Sequence, residues 1–281
     1  MSAPSSQRAP SFPASVLRVF DLSLGDMLWS RRSVFLALLV GGPVLLAGVS
    51  RLFDVAGVSG SLRVNGSAVT GQSIFGLMVW LLYVRFIVPV LGVFYGTALI
   101  ADEVEDRTIT YLFTRPIRRG AVLIGKYLAY VACTVLLVLP SAVLVFLLIV
   151  PMGGGSLGAE FPALVKDLGM LALGLAAYGA VFAWVGARLK RPLVAGLVFA
   201  LGWEPAILLF PGYLKRLTVA YYLQALVPHS MPADTSIGAL LQAFADVPGV
   251  ASSLAVLTAL TALALWTAAR TVETREYVLE Q

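Results

Sequence analysis

The sequence predicts an all-α integral membrane protein: six transmembrane helices, an interfacial helix ahead of the first, and a charged helical segment between the second and third. Three observations carry this. Hydrophobic residues make up 59% of the 281 residues and charged residues only 12%, with a mean hydropathy of +0.90, well outside soluble norms. Six apolar stretches reach the length of about 20 residues needed to cross a bilayer core. Lys and Arg are also shared unequally between alternate loops, as the positive-inside rule requires.

In chain order, residues 1 to 11 are rich in Ser, Pro and Ala and read as a disordered tail. Over residues 12 to 32 the positions Leu17, Phe20, Leu24, Met27 and Leu28 recur at helical spacing, with Arg18, Asp21 and Asp26 elsewhere on the wheel. An amphipathic helix lying in the inner interface fits that pattern. The spans fall at 33 to 50, 74 to 101, 127 to 150, 168 to 187, 193 to 211 and 250 to 269. More than thirty residues precede the first and five spans follow it, which argues against a cleavable signal peptide. An even count puts both termini on one side. With both in the cytoplasm, fourteen basic residues lie inside, against five outside: Arg51, Arg63, Lys166, Lys215 and Arg216.

The outer segment 51 to 73, with its Asn65-Gly66 pair, suits a small hairpin or a plain loop. The second outer segment, 212 to 249, carries an Ile237, Leu240, Leu241, Phe244 stripe after the capping candidates Asp234 and Thr235. That predicts a short interfacial helix, with Tyr213, Tyr221 and Tyr222 in the aromatic belt. There is no internal repeat, and residues 1 to 281 read as one transmembrane domain.

A net charge of +5 does not point to nucleic acid, because the basic residues are spread between apolar spans. The single Cys133 allows no intrachain disulfide. Gly120, Gly125 and Lys126 match most of a phosphate-cradling loop. However, Tyr127 stands where a metal-binding Ser or Thr is needed, and no preceding strand is predicted. Gly154, Ser156 and Gly158 spell a nucleophile elbow, which would make a membrane serine hydrolase using Ser156 a third reading; a turn explains the same glycines. His229 and Met231 are too few ligands for a metal site.

Ionisable residues within spans weigh more, since a charge at bilayer depth costs at least ~2.5 to 3.5 kcal/mol on insertion scales. Arg85 lies four residues before Pro89, and Glu204 lies directly before Pro205, where a kink is expected. Their predicted depths overlap, so the two side chains are expected to approach, either as a structural ion pair or along a transport pathway. Gly179, Ala183 and Ala187 share one face of the fourth span and predict close packing, chiefly against a neighbour in the same chain.

The segment 102 to 126 is the most distinctive part of the chain. Acids (Asp102, Glu103, Glu105, Asp106) come first and most of the bases (Arg107, Arg115, Arg118, Arg119) later, the order that suits a helix dipole. Glu103 and Glu105, Thr108, Leu112, Arg115 with Pro116 and Ile117, and Gly125 with Lys126 resemble the cytoplasmic coupling segment of type-two ATP-binding-cassette (ABC) permeases. Trp203, Glu204 and Pro205 followed by Tyr213 to Tyr222 look like the outer half of the fifth span in that family, whereas Asp106-Arg107 departs from its usual pattern.

The resemblance implies a permease subunit, not itself an enzyme, in a bacterial inner membrane and acting in export. It would be paired with a second permease copy in a homodimer or heterodimer, and ATP and Mg would bind on separate cytoplasmic ATPase subunits. Leu112, Phe113 and Arg118 would join the coupling contacts. The alternative is a self-contained secondary transporter or channel working through Arg85 and Glu204.

Overall fold

The computed structural model describes residues 11–29, 31–57, 63–64, 67–68, 70–105, 119–208, 213–228 and 248–274. Almost all of these are helical. Helix α1 (Phe12–Leu28) begins with Pro13 in its first turn, where a missing N–H costs nothing. Four further long helices are α2 (Arg31–Val55), α3 (Gly71–Ala101, running on to Glu105), α4 (Arg119–Ile149) and α5 (Leu157–Arg188). The shorter α6 (Pro192–Ile207) and the six-residue α7 (Val219–Gln224) precede α8 (Val250–Thr274). Five helices, α2 to α5 and α8, are long and apolar enough to cross a membrane, and α6 is apolar but shorter. Between α2 and α3, β1 (Arg63–Val64) and β2 (Ser67–Ala68) pair antiparallel on either side of Asn65-Gly66.

The core of the bundle is α4 against α5. Helices α1 and α2 pack on α4, while α3, α6 and α7 pack on α5; α8 lies along α5 and also touches α4. On α2, Leu38, Leu45 and Leu52 recur every two turns, and each is 71% exposed. Water would not tolerate so continuous an apolar stripe, but lipid tails provide a matching surroundings.

With no hydrophobic gain between helices inside a bilayer, close approach and interhelical hydrogen bonds must hold them together. Both are present. A Cβ on Gly96 of α3 would lie 2.9 Å from the Phe182 Cβ and 3.0 Å from the Gly179 carbonyl of α5. One on Gly179 would overlap the Tyr130 ring of α4, and Ala183 and Ala187 are fully buried. The small-residue face of α5 therefore receives neighbours from its own chain. Tyr127 and Tyr130 of α4 reach across it and donate to the Ala176 and Leu175 carbonyls at 2.9 and 3.0 Å. Ser141 of α4 donates to the Val40 carbonyl of α2 at 2.8 Å; its single proton is thereby used, so Tyr83 of α3 is the donor in the 2.6 Å bond between the two hydroxyls.

The prolines act differently from the kink expected at Glu204. Glu204 keeps right-handed helical angles (φ −62°, ψ −45°), and the irregularity falls just before it, as a π-helical turn over Val198–Trp203. In α3 a π-helical stretch over Val79–Ile87 likewise ends just ahead of Pro89. Widening the helix there re-pairs backbone groups that proline's missing N–H and bulky ring would disrupt, so the helix continues.

Candidate functional site

Glu204 projects from α6 into the bundle and is only 2% exposed. Its carboxylate accepts a short hydrogen bond from the Tyr178 hydroxyl of α5 and a second, at 3.2 Å, from the Val219 N–H; the Ala220 amide also reaches it. Val219 and Ala220 are the first residues of α7, whose unpaired amides and dipole favour an anion. Thr218 completes this terminus, accepting from the Tyr221 N–H at 3.3 Å while donating to the Lys215 carbonyl at 2.8 Å. The acid expected to seek a cation is thus held mainly by a phenol and a helix end.

Arg85 sits on the π-helical stretch of α3, its guanidinium carbon 5.2 Å from the Trp80 ring centroid, where cation–π attraction offsets part of its desolvation. It interacts electrostatically with Tyr178 and Glu204, yet no hydrogen bond or ion pair joins Arg85 to Glu204. The two charges expected to approach do share one neighbourhood, with Tyr178 making the direct contact.

Glycines and aromatic rings fix Tyr178 in place. A Cβ on Gly92 of α3 would stand 2.7 Å from the Tyr178 Cβ, so only glycine lets α3 lie against this part of α5. The Tyr178 ring stacks on Phe182 at 6.1 Å between centroids, and Phe182 meets Phe199 of α6 edge-on at the same separation. This file of rings runs from α5 to the π-helical turn that precedes Glu204.

Of the coupling residues, Thr108, Leu112, Phe113, Arg115, Pro116 and Arg118 lie outside the described residues, as do the side chains of Glu103 and Glu105. Gly125 and Lys126 are described. A Cβ on Gly125 would meet the Val16 carbonyl and Val19 of α1 at 2.8 Å, so this glycine is where α1 crosses α4. Gly120 to Lys126 is continuous helix, which leaves no loop of free amides to cradle a phosphate. Ser156 is the N-cap of α5, preceded by a turn in which Gly153 and Gly154 take positive φ (69° and 85°), not by a strand, so the elbow geometry is absent.

His229, Met231 and the stripe from Ile237 to Phe244 lie outside the described residues. Among the described residues no three His, Cys, Asp or Glu side chains come together as a metal site would need. Tyr221, expected in the aromatic belt, is instead buried and packs edge-on against Tyr222 at 5.2 Å.

Sequence reasoning missed two residues. Tyr178 carried no signal beyond a polar tip within an apolar span. Asp167 stands one residue before the stretch 168 to 187, but α5 begins at Leu157, which places Asp167 well inside the helix and fully buried.

Among known proteins, the family model described as ABC-2 family transporter protein matches residues 31–271, from the start of α2 into the last turn of α8. No curated protein matches the chain.

Proposed function

This chain belongs to the ABC-2 family of transporter proteins, and we propose that it is the membrane permease subunit of an ATP-driven exporter in a bacterial inner membrane. On this reading α6 completes a set of six spans, α1 lies in the inner interface and both termini are cytoplasmic. Two permease copies form the path, and separate ATPase subunits carry ATP and Mg. The segment 102 to 126 is the coupling element, with Leu112 and Phe113 as apolar anchors and Glu103, Glu105, Thr108, Arg115 and Arg118 around them. The family match carries the reading, and its range includes the whole of that segment.

One local observation supports it. Glu204 is held by fixed donors, an arrangement that suits a structural anchor better than an ion-driven carrier working through Arg85 and Glu204.

The test is solubilisation of the tagged chain from its source membranes with co-eluting ATPase activity as the readout. An ATPase bearing P-loop and signature motifs should co-elute with the chain. Leu112→Ala combined with Phe113→Ala should release it, since truncating buried interface anchors commonly costs ~2 kcal/mol or more. Flux driven by an ion gradient through the purified chain alone, unchanged in the double variant, would refute the proposal.

A further inference from the structure

The first two turns of α4 are deeply enclosed: Gly120, Ala121, Val122, Leu123 and Gly125 are all buried. Helical geometry sets Gly120 and Gly125 about 140° apart around the axis, so they face different neighbours. Gly125 receives α1, with the Val16 carbonyl and the Val19 Cβ each 2.8 Å from where its own Cβ would stand. Gly120 receives α8: an added Cβ would lie 3.0 Å from Glu273 Oε1 and 3.9 Å from the Ala269 Cβ. Ala269 and Glu273 are one turn apart, and their neighbours Ala268 and Val272 are fully buried, so the last two turns of α8 are seated on the bundle.

Glu273 is set against the dipole of its own helix. An acid in the last turn of α8 meets the negative end of that dipole, whereas the first turn of α4 presents a positive end and amides with no acceptor inside the helix. The carboxylate is thus unfavourably placed in α8 and favourably placed against α4. Glycine at 120 allows the approach, since a larger side chain would occupy the space over which the carboxylate lies. Glu273 is exposed, so this contact can open without unpacking a core. The two contacts also differ in stiffness. Gly125 is closed by backbone and a β-branched side chain, which cannot swing aside, and Gly120 by the end of a flexible one.

The segment 102 to 118 leads directly into these two turns. We propose that α1 and the end of α8 form a clasp on the start of α4, with Glu273 as its releasable latch, and that this clasp carries movement of the segment 102 to 118 into α8. The latch follows from the contacts at Gly120 and Gly125 alone. Its part in transmission rests on the reading of 102 to 126 as the coupling element.

The test is hydrogen–deuterium exchange of the full chain in nanodiscs, read over residues 119–125 and 266–274, with and without its co-purified ATPase and a non-hydrolysable ATP analogue. Without nucleotide, Glu273→Ala should speed exchange at 119–125 by about two- to fivefold, as loss of a charge–dipole contact implies. Gly120→Ala displaces the carboxylate and should do the same; were the contact idle it would slow exchange, because alanine is the better helix former. Gly120→Cys with Ala269→Cys, in a Cys133→Ala background, places Cβ atoms 3.9 Å apart, within disulfide range, and closing that bond should restore the original exchange. With nucleotide, exchange should change at both stretches in the unaltered chain and at 119–125 alone in Glu273→Ala. Unchanged exchange in Glu273→Ala, or slowed exchange in Gly120→Ala, would overturn the latch. An undiminished response of 266–274 to nucleotide in Glu273→Ala would overturn the transmission. If Glu273→Ala is not monodisperse, Glu273→Gln is read by the same criteria. Absence of a co-eluting ATPase would refute the permease-subunit reading and the transmission with it, while exchange without nucleotide still decides the latch.

Discussion

The Tyr178 hydroxyl of α5 donates its proton to the Glu204 carboxylate of α6, and the same carboxylate accepts the first amide of α7 at 3.2 Å. One acid therefore joins three helices. A charge in an apolar bundle is tolerable only when its lone pairs are occupied, and here a phenol and a helix terminus occupy them without a direct cation.

Energetic coupling should therefore be larger between Tyr178 and Glu204 than between Arg85 and Glu204. In double-mutant cycles on unfolding in detergent, Tyr178→Phe with Glu204→Gln should show an interaction of about 1.5 to 3 kcal/mol, as expected for a hydrogen bond to a charged group. Arg85→Leu with Glu204→Gln should show less. A larger Arg85 coupling would mean that a direct ion pair forms in the membrane.

Two glycines on the same helix should respond in opposite ways to alanine. A Cβ at Gly179 overlaps the Tyr130 ring, whereas one at Gly169 meets nothing within 4 Å. Gly179→Ala should destabilise by about 1 to 3 kcal/mol through overpacking, with partial rescue by Tyr130→Leu. Gly169→Ala should be neutral or stabilising, by up to about 1 kcal/mol, because alanine is the better helix former. Thermal unfolding of the two variants compares them directly.

Orientation is open to direct labelling. Cys133 is fully buried and is replaced by alanine as background. Single cysteines at Ser67 and Ser236 should then react with an impermeant thiol reagent in intact cells, and one at Thr114 should not, as the fourteen to five distribution of basic residues requires. Labelling at Thr114 would reverse every loop.

The ring file beside the acid gives a further prediction. Gly92→Ala in α3 must displace Tyr178, because the added Cβ would stand 2.7 Å from the Tyr178 Cβ. It should lower stability by about 1 to 3 kcal/mol and weaken the Tyr178–Glu204 coupling in the same cycle. An unchanged coupling energy would show that Tyr178 is not held by α3.

By itself the sequence determined the class of the molecule and where its long apolar helices lie along the chain. Apolar length and charge spacing act locally, so the described residues of the six stretches fall almost wholly on observed helices, and the Gly179, Ala183, Ala187 face marked a packing surface. Proline identity showed where a helical hydrogen bond must be missing, but not how the chain would respond. The π-helical turn before Glu204 depends on what the neighbouring helices provide. Tertiary structure alone decided which residue meets which. Helical rise gives depth along the membrane normal, so the overlap of Arg85 and Glu204 could be read from residue counts. Contact also requires lateral neighbours and rotation about each helix axis, and these follow from glycine-scale fits between α3, α4, α5 and α6 that no single stretch encodes. Those fits set Tyr178 and the amides of α7 against Glu204, and left Arg85 resting on Trp80.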